Sequence, residues 1–151
     1  MKRTLVVVAT LFLSVTACAG PTLQEQKKQI LDNKIHFKGL TSQAFLETWG
    51  TPTYTHRERV QFYTLEDGNS IPRFRVPLGE VPQGWTTVII FDDSLFFGYA
   101  ERGELLGFAE GRLVYRETLP AAEIHSIGKN WAREDQFKSR LESSGAPAPA
   151  K

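Results

Sequence analysis

Between Trp85 and Thr118 apolar stretches are punctuated every 8–10 positions by turn residues: Asp92-Asp93-Ser94, Arg102-Gly103 and Glu110-Gly111. Short runs broken at that interval are too brief for helices and read as an antiparallel meander. The rhythm predicts four strands, Trp85–Phe91, Leu95–Ala100, Leu105–Ala109 and Leu113–Thr118. Gly98 and Gly107 fall inside two of them, where a bulge forms or a helix packs close to the backbone.

Upstream, Thr41 is a good helix N-cap, and Leu40 and Phe45 have the spacing of a hydrophobic staple. Phe45, Leu46 and Trp49 share a face, Gly50 suits the left-handed C-terminal position, and Pro52 forbids continuation. The helix is therefore expected over 42–49. Ile35 and Phe37 alternate with His36 and Lys38 as in a short strand. Thr53–Leu65, rich in Thr, Tyr, Val and Phe, reads as a further strand, followed by a turn at 66–69. Pro72, Pro77, Pro82, Gly79 and Gly84 make 70–84 a long ordered loop. Pro120 fits the first turn of a helix expected to stop at Gly128, with Asn130 capping a second one to Leu141. The fold class that follows is α+β, a small antiparallel sheet with helices packed on one face.

The first 17 residues read as an address. Lys2 and Arg3 precede an apolar run, Leu5–Leu13, that is far shorter than the roughly 20 residues a membrane-spanning helix needs. It ends in Val15-Thr16-Ala17-Cys18, and Cys18 is the only cysteine in the chain. That string resembles a bacterial lipobox. The resemblance implies cleavage before Cys18 and lipid on its sulfur and amine, a stable anchor because each buried methylene adds about 0.8 kcal/mol. No acidic residue follows directly, since Ala19-Gly20 comes next, which in that class implies the outer membrane and a body facing the periplasm. Residues 18–34 are read as the lipidated N-terminus and a tether, although Thr22 and Glu25 also have capping-box spacing. The domain is expected over 35–142, and the Ala/Pro tail 143–151 to be disordered. Removing 1–17 takes away Lys2 and Arg3 and no acid, leaving 16 basic and 17 acidic residues. That balance argues against a nucleic-acid partner.

Leu40-Thr41-Ser42-Gln43-Ala44-Phe45-Leu46 with Trp49-Gly50-Thr51-Pro52 is similar to the opening motif of the SmpA/OmlA (BamE-type) lipoproteins. Leu106-Gly107-Phe108-Ala109-Glu110-Gly111-Arg112-Leu113-Val114 resembles that family's closing hairpin. The helix–strand pattern is also similar to the small α+β fold of β-lactamase-inhibitor-like domains. The BamE-type resemblance implies a non-enzymatic accessory subunit of outer-membrane protein assembly, with another envelope protein as partner. The alternative is a periplasmic module that binds a ligand, a glycan or an enzyme it inhibits. The loop 70–84, the strand at Leu95–Ala100 and the helix after the last strand depart from the family pattern.

Chemistry-bearing motifs are sparse. His36, His56 and His125 lie far apart with no carboxylate or second histidine at ligand spacing, so no metal site is expected. Asp92 and Asp93 are read as turn formers. No nucleophile elbow and no phosphate loop is present. No catalytic residue is assigned, and no cofactor beyond the lipid on Cys18. Two partner-binding candidates remain. Arg73, Phe74, Arg75, Leu78 and Trp85 sit on or beside a pre-stiffened Pro-rich loop, which either binds or folds down over the sheet. Tyr99, Arg102, Arg112 and Arg116 would form a basic-aromatic patch on neighbouring strands, or an ordinary solvated face with Glu101, Glu104 and Glu117.

Overall fold

A computed structural model describes residues 20–145 of the chain, so the signal segment, Cys18 and the tail beyond Gly145 lie outside the described residues. The elements run α1 (Leu23–Leu31), α2 (Ser42–Trp49), β1 (Tyr54–Leu65), β2 (Ser70–Pro72), a 3₁₀ turn (Arg73–Arg75), β3 (Trp85–Tyr99), β4 (Glu104–Ala109), β5 (Arg112–Thr118) and α3 (Ala121–Ser143). All strand pairings are antiparallel, in the order β2-β1-β3-β4-β5. The α+β architecture is therefore the one the sequence indicates.

Strict alternation along β3 and β4 divides the side chains between two cores. Phe96, Leu105 and Ala109 join Val60, Phe62 and Val114 under Ile124 and Trp131 of α3. Phe97, Tyr99, Leu106 and Phe108 join Ile30 of α1 and Ala44 and Phe45 of α2. The helices thus cover both faces of the sheet rather than one. Almost every β4 position is apolar, the pattern of a strand buried on both sides.

Several expected breaks are absent. Asp92-Asp93-Ser94 is no turn: β3 continues through it as a 15-residue strand about 50 Å long. The pairs Glu58↔Ser94 and Val60↔Phe91 leave Asp92 and Asp93 opposite Arg59 alone, a β-bulge. Gly128 is no stop either. It lies inside α3, where a Cβ would overlap the ring of Tyr54. Pro120 is the N-cap of α3 rather than its first residue. The segment 35–38 is no strand: Ile35 and His36 are irregular and a turn covers 37–39, with Lys38 left-handed at φ 64°. It meets β5 through backbone bonds from Lys38 to Leu113 and from Leu113 to Leu40.

The segment read as a tether holds a docked helix. The Thr22 and Glu25 side chains and backbone amides cap one another reciprocally. Buried Gln26 accepts from both the amide and the hydroxyl of Thr41 at 2.9 Å and donates to Pro21 at 2.9 Å. Thr41 in turn caps α2, so one amide side chain locks α1 onto the start of α2.

The loop 70–84 opens with β2, whose Pro72 is tolerated because β2 is an edge strand. The sheet curls until its two edges meet. Asn69 donates to the Arg116 carbonyl at 3.3 Å and accepts from its amide at 3.2 Å.

Gly128→Ala is expected to destabilise the fold by about 1–3 kcal/mol in denaturant unfolding, although alanine favours a helix intrinsically. Shrinking the neighbour in the double variant Tyr54→Ala/Gly128→Ala should leave a cost clearly below the sum of the two single changes. A stabilised single variant would contradict the packing described.

Candidate docking edge and functional site

The site begins where the meander runs out of strands. β4 pairs with β3 only over Ser94–Tyr99. From Trp85 to Asp93, β3 is bonded to β1 on one side, and no described strand lies on the other. The local sequence, Trp-Thr-Thr-Val-Ile-Ile-Phe, is that of an interior strand, yet Thr86, Thr87, Val88, Ile89 and Ile90 are all exposed. Ile90 is 52 % exposed and Trp85 45 %. Cross-strand pairing places Val88 with Tyr63 and Ile90 with Gln61 on one face, and Ile89 with Phe62 on the other. Isolated edge strands are usually protected by charge, and here the charges lie at the far end. Asp93 accepts from Arg57 at 3.1 Å and Asp92 from Arg59 at 2.8 Å, closing the bulge and the apolar strip together. These are exposed pairs worth about 0–1 kcal/mol each. Beside them a cleft of about 400 Å³ lies between Ile90, Leu95, Phe108 and the Glu110-Gly111 turn.

The structure divides the sequence candidates. Leu78 is 93 % exposed, and Trp85 lies edge-on to Tyr63 at the start of the bare strand. Both are exposed apolar side chains, as is Val81 on the same loop as Leu78. Phe74 leans on Phe96 and Trp131 and half covers the α3-side core. Arg73 caps its own turn, donating to the Val76 carbonyl at 2.6 Å. Arg75 clamps the loop, with bonds of 2.8 and 3.1 Å to Glu117 and 2.9 Å to Glu123.

The second candidate set is dispersed. Tyr99 is buried and donates to the Gly50 carbonyl at 3.0 Å; burial pushes its hydroxyl up to about 12 against the opposing charge of Arg102. Arg102 covers the Trp49 ring at 4.7 Å. Arg116 pairs with Glu104 at 2.6 and 3.0 Å. Arg112 is exposed at the other end of β5, beside the Thr41 bridge.

Val88, Ile89 and Ile90 do not stand out as site residues in the sequence. The signal was an apolar run, which looks the same whether a neighbour strand covers it or not. His56 is one of the three histidines for which the sequence shows no carboxylate at ligand spacing, yet Glu58, two residues on along β1, lies on its face. Its imidazole is fully buried, and Glu58, Glu134 and Asp135 surround it. Burial works against its charged form, but Glu58 and Asp135 outweigh that and raise its pKa. His125 is engaged elsewhere, bonded through Nδ1 to the Tyr54 hydroxyl at 2.8 Å.

No protein-family model, curated protein or solved structure matches this chain.

The Arg75 clamp carries a pH signature. Burial works to raise the Glu117 carboxyl, but hydrogen bonds from Arg75 and Tyr115 with the Arg75 charge hold it below its ordinary 4.5. Burial and the Glu117 carboxylate raise the Tyr115 hydroxyl well above its ordinary value. A carboxyl depressed by folding stabilises above its unfolded pKa and loses that contribution as pH falls through its folded one. Thermal unfolding from pH 7 down to 3 should therefore show Glu117→Gln less stable than the parent at pH 7, with the gap closing below about pH 4. A gap that stays constant across the range would contradict the linkage.

Proposed function

We propose that this protein is a non-enzymatic accessory lipoprotein of outer-membrane protein assembly, held at the outer membrane by lipid on Cys18 and facing the periplasm. Its task is to dock another envelope protein. The observation that carries this reading is the bare edge of β3 from Trp85 to Asp93, lined by exposed Val88, Ile89 and Ile90. An unpaired strand edge is a template for an extended segment of a partner. Main-chain hydrogen bonds supply affinity, and alternate side chains supply selectivity. The segment that fits is β-forming, with apolar residues toward Val88 and Ile90 on one face and Ile89 on the other. Leu78 and Val81 add apolar surface on the neighbouring loop. The lipobox supports the anchor, and the resemblance of 40–52 and 106–114 to BamE-type lipoproteins supports the assembly role. Restricting the body to the membrane surface raises its effective concentration near a membrane-bound partner.

A photo-crosslinking residue at Ile90, with Lys138 on exposed α3 as the control position, tests this in intact envelopes. Ile90 should capture a subunit of the barrel-assembly machinery, Lys138 should not, and Cys18→Ser should weaken the capture strongly. Capture only of cell-wall glycan or of a soluble periplasmic enzyme would overturn the assembly reading in favour of a ligand- or inhibitor-binding module. Capture only of a second copy would overturn it in favour of self-association.

A further inference from the structure

His56 poses a problem of buried polarity. It stands on β1, one side-chain step from Glu58 on the same face, because strand side chains repeat every second residue. Its ring stacks on Trp131 of α3, centroids 5.1 Å apart and planes 8° apart. The imidazole side chain has no exposed surface, yet among the described residues neither ring nitrogen makes a hydrogen bond. Buried polar atoms are nearly always satisfied, so two ring nitrogens without hydrogen bonds need an explanation in the groups that face them.

The surroundings supply donors for a cation. Nε2 lies 3.5 Å from a Glu58 carboxylate oxygen and 3.9 Å from one of Glu134. The three donor atoms lie within 4.8 Å of one another. Those separations are long for hydrogen bonds. They suit a shared cation, since donors bound tetrahedrally at about 2.1 Å stand about 3.4 Å apart. On the other side of the ring, Nδ1 lies 3.5 Å from Asp135. A carboxylate facing the second nitrogen is the usual companion of a metal-bound histidine, fixing its tautomer and orientation. Glu134 is half exposed, and a cleft of about 350 Å³ reaches Glu58, Trp131 and Glu134 from solvent, which gives an ion a way in.

We propose that His56 Nε2, Glu58 and Glu134 form a binding site for a divalent transition metal of zinc type, with Asp135 positioning the imidazole and solvent completing the coordination. One nitrogen and two carboxylate oxygens match zinc's donor preferences better than those of calcium or magnesium. The site joins strand β1 to helix α3, so metal bound there pins the helix to the sheet. It is independent of the docking edge, which uses β3.

Isothermal titration of zinc chloride into the untagged soluble body (residues 20–151) at pH 7.5, with thermal unfolding of the same samples, tests the proposal. One zinc per chain is expected. The midpoint should rise by about 10 °C at a hundredfold excess over the dissociation constant, the roughly 2.7 kcal/mol of linkage divided by the unfolding entropy of a body this size. Glu134→Gln, at a half-exposed position that leaves the fold intact, should weaken binding at least tenfold, and His56→Asn should abolish it. Asp135→Asn should weaken it less and leave one-to-one binding. The absence of saturable binding by the folded parent would overturn the proposal. So would equal affinity of the parent, Glu58→Gln and Glu134→Gln proteins, which would place the zinc on other surface groups.

Discussion

The β1–β3 ladder is the element on which the rest of the molecule hangs. It is the longest pairing in the sheet, and the bulge at Asp92-Asp93 divides it, with a second register shift near its end where Thr64 pairs with Thr87 and Leu65 with Trp85. On one side of the bulge, β3 has β4 as its second neighbour, and helices cover both faces. On the other, β3 keeps its pairing to β1, itself bordered by β2, but loses β4. An extra residue in a ladder bends and twists the strand carrying it. The bulge therefore marks the passage from buried core to bare strip, and the Arg57 and Arg59 pairs hold it shut from the opposite strand.

Around this ladder the peripheral pieces are attached by polar clasps as well as by the apolar side chains they bury, among them Ile30, Phe45, Ile124 and Trp131. Gln26 ties α1 to the cap of α2, Asn69 ties the turn before β2 to β5, and Arg75 ties the Pro-rich loop to β5 and α3. Buried or half-buried clasps of this kind fix geometry, because leaving one partner unmatched costs about 1–3 kcal/mol. β1 itself carries opposite chemistries on its two faces. Arg57 and Arg59 meet the bulge, while His56 and Glu58 point to α3. The period of two separates a charge clamp from a cluster of metal-type donors over four consecutive residues.

Much of this was legible in the sequence. Helix α2 could be read to the residue, because its cap, its staple and its Gly-x-Pro stop all agree. The turns at 66–69, 102–103 and 110–111 and the strand pair they frame were readable for the same reason. The failures share a physical origin. Asp-Asp-Ser has the composition of a turn, but acidic residues also suit a bulge when arginines face them across the ladder. Gly128 resembles a helix stop, whereas its lack of a side chain serves the approach of Tyr54, 74 positions earlier. α1 looked like a tether because its apolar content is low; its docking depends on Gln26, which hydropathy scores as surface. The His56–Glu58 pair sits at the i, i+2 spacing of a strand face, but Glu134 and Asp135 reach it only through the packing of α3, so the full cluster has no local signature.

The central claim is that β3 leaves the core and offers an uncovered edge from Trp85 to Asp93. Residue-resolved amide hydrogen exchange on the free, monomeric protein tests it most directly. Alternate amides between Trp85 and Asp93 should exchange rapidly, because their N–H groups point away from β1 to water. Those from Leu95 to Tyr99, bonded on both sides, should be slow. Uniformly slow exchange from Trp85 through Tyr99 would contradict the account, since every amide along the strand would then have a partner.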